Sequence, residues 1–299
     1  MNRYPRILAA LAALTFGAFA AATLSADGQL IVLSRSADRN ELSYLTVRAM
    51  RGHRTLAGWI ELRNPGRRRQ KVMLERVDGA TLDTLGSGYA PPGSRPHGAT
   101  RWLLVRRHVS WVPAHGRIDI PVVVAVPRGA RAGEYLSGMS IAALPATERI
   151  TRGKGIAIAS EVRYAIGVLV TVPGRLHPRL ELRGARIEMQ PPGPVFLLEA
   201  RNSGNAILRN VHGWVIVTRE DRRIAYTRIL PGTFVSHSQI AYPVRATAER
   251  PFGGATYQVR AMLFYPGGHV ELHTSVTYGA PPRPRAFALV ATRPRLRQG

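Results

Sequence analysis

The chain has 299 residues, 45% of them apolar, which is enough for two domains with their own cores and too apolar for a disordered chain. It has no cysteine, which excludes disulfides, thiolate metal sites, catalytic thiols and a bacterial lipid-anchor cysteine. Its 42 basic residues, of which only Lys71 and Lys154 are lysine, stand against 18 acidic ones, and the net charge of +24 must face an anionic environment or stay solvated.

The first segment, residues 1–26, reads as a signal peptide or signal anchor. Arg3 and Arg6 precede an apolar run from Ile7 to Leu24, a charged start followed by a hydrophobic stretch. Leu24-Ser25-Ala26 and Phe19-Ala20-Ala21 are the candidate cleavage sites. No Arg-Arg pair occurs there, so the general secretion route is expected. The run is about long enough to span a bilayer, so an uncleaved anchor is the alternative, and it would be the only membrane contact. Ala286 to Ala291 is far too short to cross.

Residues 27–175 carry strand signals in series. Gln29–Leu33 and Leu42–Met50 are short and β-rich, and Leu56–Arg63 alternates. Ile118, Ile120, Val122, Val124 and Val126 mark one face of a long strand, ended by Pro127. Gly133–Ala143 and Ile156–Val172 complete the set. The stretch Gly86–Thr100 is rich in glycine and proline and reads as a long irregular loop, a frequent place for function. Tyr89 and Trp102 flank it, with Arg95 and Arg101 between them. Aromatics beside arginines stack on sugar rings and pair with carboxylates, so these four are the candidate ligand-binding residues. The alternative is that Trp102 and Trp111 are core residues at strand starts.

Pro173–Pro178 reads as a linker to a second domain, residues 176–279. Strands are expected at Leu180–Arg183, Val195–Arg201, Ile207–Thr218, Arg223–Leu230, Phe234–Arg245, Tyr257–Phe264 and Val270–Tyr278. Residues 280–299 form a basic Pro/Arg-rich tail. The expected fold is therefore all-β, two immunoglobulin-like β-sandwich domains in tandem after the N-terminal segment.

The two halves echo each other. Glu61-Leu62-Arg63-Asn64-Pro65-Gly66 and Glu199-Ala200-Arg201-Asn202-Ser203-Gly204 both fit E-x-R-N-x-G, and each reads as a hairpin turn between strands. Gly133-Glu134-Tyr135 and Gly254-Ala255-Thr256-Tyr257 open later strands in each half. Two diverged copies of one unit explain both echoes.

Sites for chemistry are not evident. Gly138-Met139-Ser140-Ile141-Ala142 lacks the last glycine of a nucleophile elbow and sits in a strand pattern. His269 and His273 bracket Glu271, but four strand residues span about 13 Å, so the histidines cannot share an ion, leaving only a His269–Glu271 pair. Glu61 and Glu75, on adjacent predicted strands, read as surface ion pairs with arginine. No catalytic residue, metal or cofactor is expected.

The order of segments resembles the WxL-interacting cell-surface proteins of Gram-positive bacteria. The resemblance rests on an exported start, Leu62-Arg63-Asn64-Pro65-Gly66, the Asp78–Gly86 stretch, Ile120–Pro127, Gly133–Met139, and the second half from Leu180 through Asn202 to Tyr257. It implies a peptidoglycan-binding domain followed by one that binds partner or host proteins, both immunoglobulin-like and non-enzymatic. That family usually ends in a transmembrane helix before its basic tail; here the tail remains without the helix. The leading reading is thus a non-enzymatic exported surface protein that binds peptidoglycan or anionic wall polymers, partnered by Trp-x-Leu-motif proteins. Arg67, Arg68, Arg69, Arg106 and Arg107 would supply the charge. The alternative is a structural, assembly or chaperone-like sandwich protein of the envelope, which an exposed edge strand would favour. A secreted hydrolase would need a cleft with paired carboxylates. Nucleic acid is not an expected partner, because the chain is exported and its arginines are scattered.

Overall fold

The computed structural model describes residues 29–37, 44–105, 107–144, 162–191, 193–247 and 251–279; the N-terminal segment, Arg106 and the basic tail lie outside them. The described residues form strands and one short 3-10 turn, Gly98–Trp102. The chain is all-β.

The first sandwich uses β1 (Ile31–Ser36), β2 (Tyr44–Arg48), β3 (Arg54–Arg63), β4 (Gln70–Leu82), β5 (Gly86–Tyr89), β6 (His108–Val112), β7 (Arg117–Ala125), β8 (Gly133–Ala143) and β9 (Arg163–Val172). One sheet has the order β1-β3-β7; the other runs β2-β9-β8-β4-β5, with β6 also on β4. Alternation explains the core between them. Val122 and Val124 of β7, Ile60 and Leu62 of β3, and Val168, Val170 and Val172 of β9 are buried, while their neighbours point away. The first strand is split: β1 pairs antiparallel with β3 in one sheet, and β2 pairs parallel with β9 in the other.

The second sandwich uses β10 (Leu180–Gln190), β11 (Gly193–Asn202), β12 (Leu208–Arg219), β13 (Arg222–Phe234), β14 (Gln239–Val244), β15 (Thr256–Tyr265) and β16 (Gly268–Thr277). Its sheets are β10-β11-β14 and β13-β12-β15-β16. Phe196, Phe234 and Tyr257 fill its centre, with the Phe196 and Tyr257 rings edge-on at 5.1 Å.

Several expectations are corrected. The two E-x-R-N-x-G stretches are not hairpin turns. β3 and β4 lie in different sheets, as do β11 and β12, so each turn is an arch that carries the chain across the core. The asparagine side chain provides the reason. Asn64 Nδ2 donates to the carbonyls of Arg68, Val112 and Pro113, and its Oδ1 accepts the Gly66 N–H. These bonds satisfy backbone groups of the turn and of the end of β6. The Gly86–Thr100 stretch is not wholly irregular: Gly86–Tyr89 pairs with Gly79–Leu82 as β5. β6 had no clear periodicity of its own. The expected strand Phe234–Arg245 is broken after Phe234, where Val235–Ser238 turns with His237 at φ 59°.

Both echoed tyrosines serve one purpose. Near the start of β8, Tyr135 Oη donates to the Arg131 carbonyl at 2.9 Å; near the start of β15, Tyr257 Oη accepts the Phe252 N–H at 3.1 Å. A tyrosine tied to backbone just upstream at this corner belongs to immunoglobulin-like sandwiches.

Candidate functional site

Of the four predicted ligand residues, Tyr89, Trp102 and Arg101 have separate partners. Tyr89 lies across the outer face of the sheet at Gly138 and Gly167, where added Cβ atoms would meet it at 2.6 Å. Glycine is needed at both places because the ring occupies the side-chain space. Burial pushes its hydroxyl up to about 12, with a further contribution from Tyr44. Trp102 packs on the first core, edge-on to Tyr135 at 4.8 Å. Arg101 is exposed and donates to the Pro96 carbonyl, and Arg95 is exposed as well. The stretch between them is held from below: Glu75 accepts the Gly93 N–H and Asp78 accepts the His97 N–H.

The carboxylates of interest are structural. Glu61 and Glu75 sit in different sheets and are buried, not at the surface as expected, each facing arginines. Glu61 pairs with Arg63 and Arg35; Glu75 with Arg163 at 3.4 Å and Arg107 at 3.9 Å. The Arg63 hydrogen bond, against the opposing effect of burial, keeps Glu61 below its ordinary range. In the β16 cluster it is His273, not His269, that meets Glu271, at 2.9 Å, while His269 lies beside Phe264. Among the described residues no group of three or more His, Asp or Glu is placed to hold a metal ion.

The two sandwiches are tied by named bonds. Thr81 of β4 accepts the Val235 N–H and shares a 2.7 Å bond with Ser238. Asn205 donates to the carbonyls of Ala132 and Arg175 and accepts the His177 N–H. Glu134 accepts the Ile207 N–H and faces Arg209 at 3.4 Å. Leu136, Ile207 and Val235 form a small buried core at this joint, with Tyr89 and Leu169 against it. A cleft of about 910 Å³ opens beside it, lined among others by Arg131, Arg175, His177, Arg179 and His237. Burial, then Arg201 and Arg131, lowers the pKa of His237.

The sheet edges differ in protection. β7 carries Pro121 and is covered where Leu104 N–H donates to Val123. β10 has a register shift at Leu182/Gly184 and carries Arg183, Arg186 and Glu188. β13 has Pro231 and several arginines, β14 has Pro243, and β16 lies against β10. β6 stops at Pro113, and Arg69 roofs its Trp111 at 4.3 Å. β1 and β2 have neither proline nor bulge, and each carries a single exposed arginine, Arg35, which is paired with Glu61 and Asp119, and Arg48. Ile31, Leu33 and Tyr44 on them are exposed, at 44%, 40% and 37%. Among the described residues nothing pairs with their outer edges. Sequence reasoning missed this contrast, since it depends on which strands end up outermost.

No protein-family model matches the chain, and no curated protein matches it. Solved structures are similar in outline. The chaperone–tip adhesin complex of CFA/I fimbriae biogenesis is 11% identical, covering 83% of this chain and 99% of that one, at a TM-score of 0.41. The CsuC–CsuE chaperone–tip adhesion subunit pre-assembly complex of the archaic chaperone-usher Csu pili of Acinetobacter baumannii is 12% identical, covering 85% and 100%, also at 0.41. The E. coli chaperone DraB is 12% identical, covering 82% and 97%, at 0.35.

Proposed function

We propose that this chain is an exported, non-enzymatic assembly protein of the cell envelope, and that its first sandwich takes a partner's β-strand along β1 or β2. The contrast between edges carries the reading. Natural sheets blunt their edges with proline, bulges, charge or a covering segment, and an edge without them is a template for a further strand. Here β7, β10, β13 and β14 have proline, a register shift or several charges, whereas the split first strand has neither proline nor bulge and only one arginine in each half, Arg35 and Arg48. Main-chain bonds would supply affinity, and the exposed Ile31, Leu33 and Tyr44 would choose alternate side chains of the incoming strand. Export rests on the Arg3/Arg6 start and the Ile7–Leu24 run. The likeness to pilus chaperones is too distant to support this; the edges support it.

The test uses the exported chain with p-benzoylphenylalanine at Leu33, at Tyr44 or, as control, at Met189 of β10, which is 69% exposed. Cross-linked partners are identified and purified, and amide exchange is followed on binding. Slowed exchange in β1 or β2, with Leu33→Lys weakening binding at least tenfold, is the expected result. Binding that leaves β1 and β2 exchange unchanged would overturn it. The wall-binding reading, with its Trp-x-Leu partners, would take precedence if the chain instead sedimented with purified peptidoglycan in 1 M salt and gave no strand partner.

A further inference from the structure

The second sandwich exposes a sheet face that its counterpart covers. In the first sandwich, Leu136 of β8 and Leu169 of β9 point outward with Tyr89, and Ile207 and Val235 of the second sandwich pack on them. The equivalent sheet of the second sandwich is β13-β12-β15-β16. Val215, Val217, Val259 and Leu263 point from it into the core. Its other side should be polar if water were its only neighbour.

It is not polar. The pairing register aligns His212, Phe264 and His269 in one row, with ring centroids 5.5 and 5.9 Å apart. The next row sets Trp214 beside Met262, between Arg228 and Glu271. The third sets Tyr226 beside Ile216, followed by Arg260 and His273. Tyr226 is 49% exposed, Phe264 38%, and Leu230 at the margin 67%. Three aromatics that each bury about 150–250 Å² when covered make this more than a scatter of surface apolar atoms.

Composition and charge indicate the occupant. Trp, Tyr, Phe, Met and Arg are the types enriched at the centres of protein interfaces, and Lys is depleted there. This face has all five and no lysine. Its one acid, Glu271, is hydrogen-bonded by His273. Arg228 and Arg260 stand within it, and Arg223 lies 6.0 Å from the Tyr226 ring. A second copy would bring these arginines against each other in a chain of charge +24, and like charges across an interface are costly.

We infer that this face docks a partner protein whose contact surface has an apolar centre and a rim of Asp and Glu. Trp214 and Phe264 anchor it, and Arg228 and Arg260 meet the carboxylates. The surface is separate from β1 and β2 and does not depend on strand uptake.

The experiment places p-benzoylphenylalanine at the exposed Leu230 of the full exported chain, identifies the cross-linked protein and purifies it. Affinity is then measured from 0.05 to 0.5 M salt for the wild type, Trp214→Ala, Leu230→Ser and the pair Arg228→Glu, Arg260→Glu. Expected are a tenfold or greater loss for Trp214→Ala, a weakening with salt that the charge-reversed pair abolishes, and no change for Leu33→Lys. Leu230→Ser keeps the anchors and the fold, so its smaller loss guards against misfolding of the Trp214 variant. No cross-link, or a partner whose affinity ignores all these changes, would overturn the inference. So would reversible dimers by ultracentrifugation that Leu230→Ser splits, which assign the face to a second copy. Flotation with phosphatidylglycerol vesicles that Trp214→Ala abolishes would assign it to lipid and overturn it equally.

Discussion

Asn64 and Asn202 hold the same corner of the two sandwiches with the same bonds. Asn202 Nδ2 donates to the carbonyls of Ala206 and Phe234, and its Oδ1 accepts the Gly204 N–H, as Asn64 does with Arg68, Val112, Pro113 and Gly66. Both are buried, at 2% and 0% exposure. Alanine in place of Asn202 strands the buried carbonyls of Ala206 and Phe234, and in place of Asn64 that of the buried Val112, Arg68 and Pro113 being exposed. With about 1–3 kcal/mol for each unsatisfied group, the loss should be roughly 2–5 kcal/mol for Asn202→Ala and about 1–3 kcal/mol for Asn64→Ala. Urea unfolding of Asn64→Ala and Asn202→Ala should move different transitions. Aspartate should be no better than alanine, because a carboxylate cannot donate to carbonyls.

Gly138→Ala places a methyl group 2.6 Å from the Tyr89 ring, and Gly167→Ala one 2.2 Å from the Tyr44 ring. Overpacking of this kind costs about 1–3 kcal/mol. The displaced Tyr89 should titrate nearer its ordinary value of 10.0, where now burial holds it at about 12. Ultraviolet titration of the phenolate reads this directly. In Gly138→Ala with Tyr89→Ala the penalties should fall short of their sum, the mark of two residues in contact.

Asn205 fixes how the sandwiches meet. Asn205→Ala removes the bonds to Ala132, Arg175 and His177, and Thr81→Val those to Val235 and Ser238. The double variant should keep both sandwich transitions nearly unchanged. It should scatter X-rays as a broader set of shapes and be cut faster by trypsin at Arg175 and Arg179. Unchanged scattering and cleavage would mean that the Leu136–Ile207–Val235 core holds the joint alone.

Glu61 gives the first sandwich a dependence on acid. Its folded pKa lies below the ordinary 4.5, chiefly through the Arg63 hydrogen bond, with Arg63, Arg35 and Arg117 adding their charges against burial. A depressed folded value contributes stability that is complete above the unfolded pKa and lost as pH falls through the folded one. Glu61→Gln should therefore melt lower than wild type at pH 7, with the gap closing below about pH 4. A gap that stays constant down to pH 3 would assign the loss to packing instead.

Much of the fold was legible because period-two alternation records which side chains share a face. Ile118, Ile120, Val122 and Val124 announce β7, and the echo of Glu61–Gly66 in Glu199–Gly204 announces a repeated unit. Alternation does not record which strand lies next to which. Asn-x-Gly therefore read as a hairpin, although Asn64 and Asn202 bridge two sheets through carbonyls distant in sequence. Tyr89 read as a free aromatic in a loop because its resting places, Gly138 and Gly167, belong to strands far along the chain. The same holds for both proposed surfaces. Ile31 and Leu33 become exposed because β1 ends up outermost, and Trp214, Met262 and Phe264 form one face because β12 and β15 pair in a particular register. Local chemistry sets what a strand can bury; long-range pairing alone decides what remains uncovered.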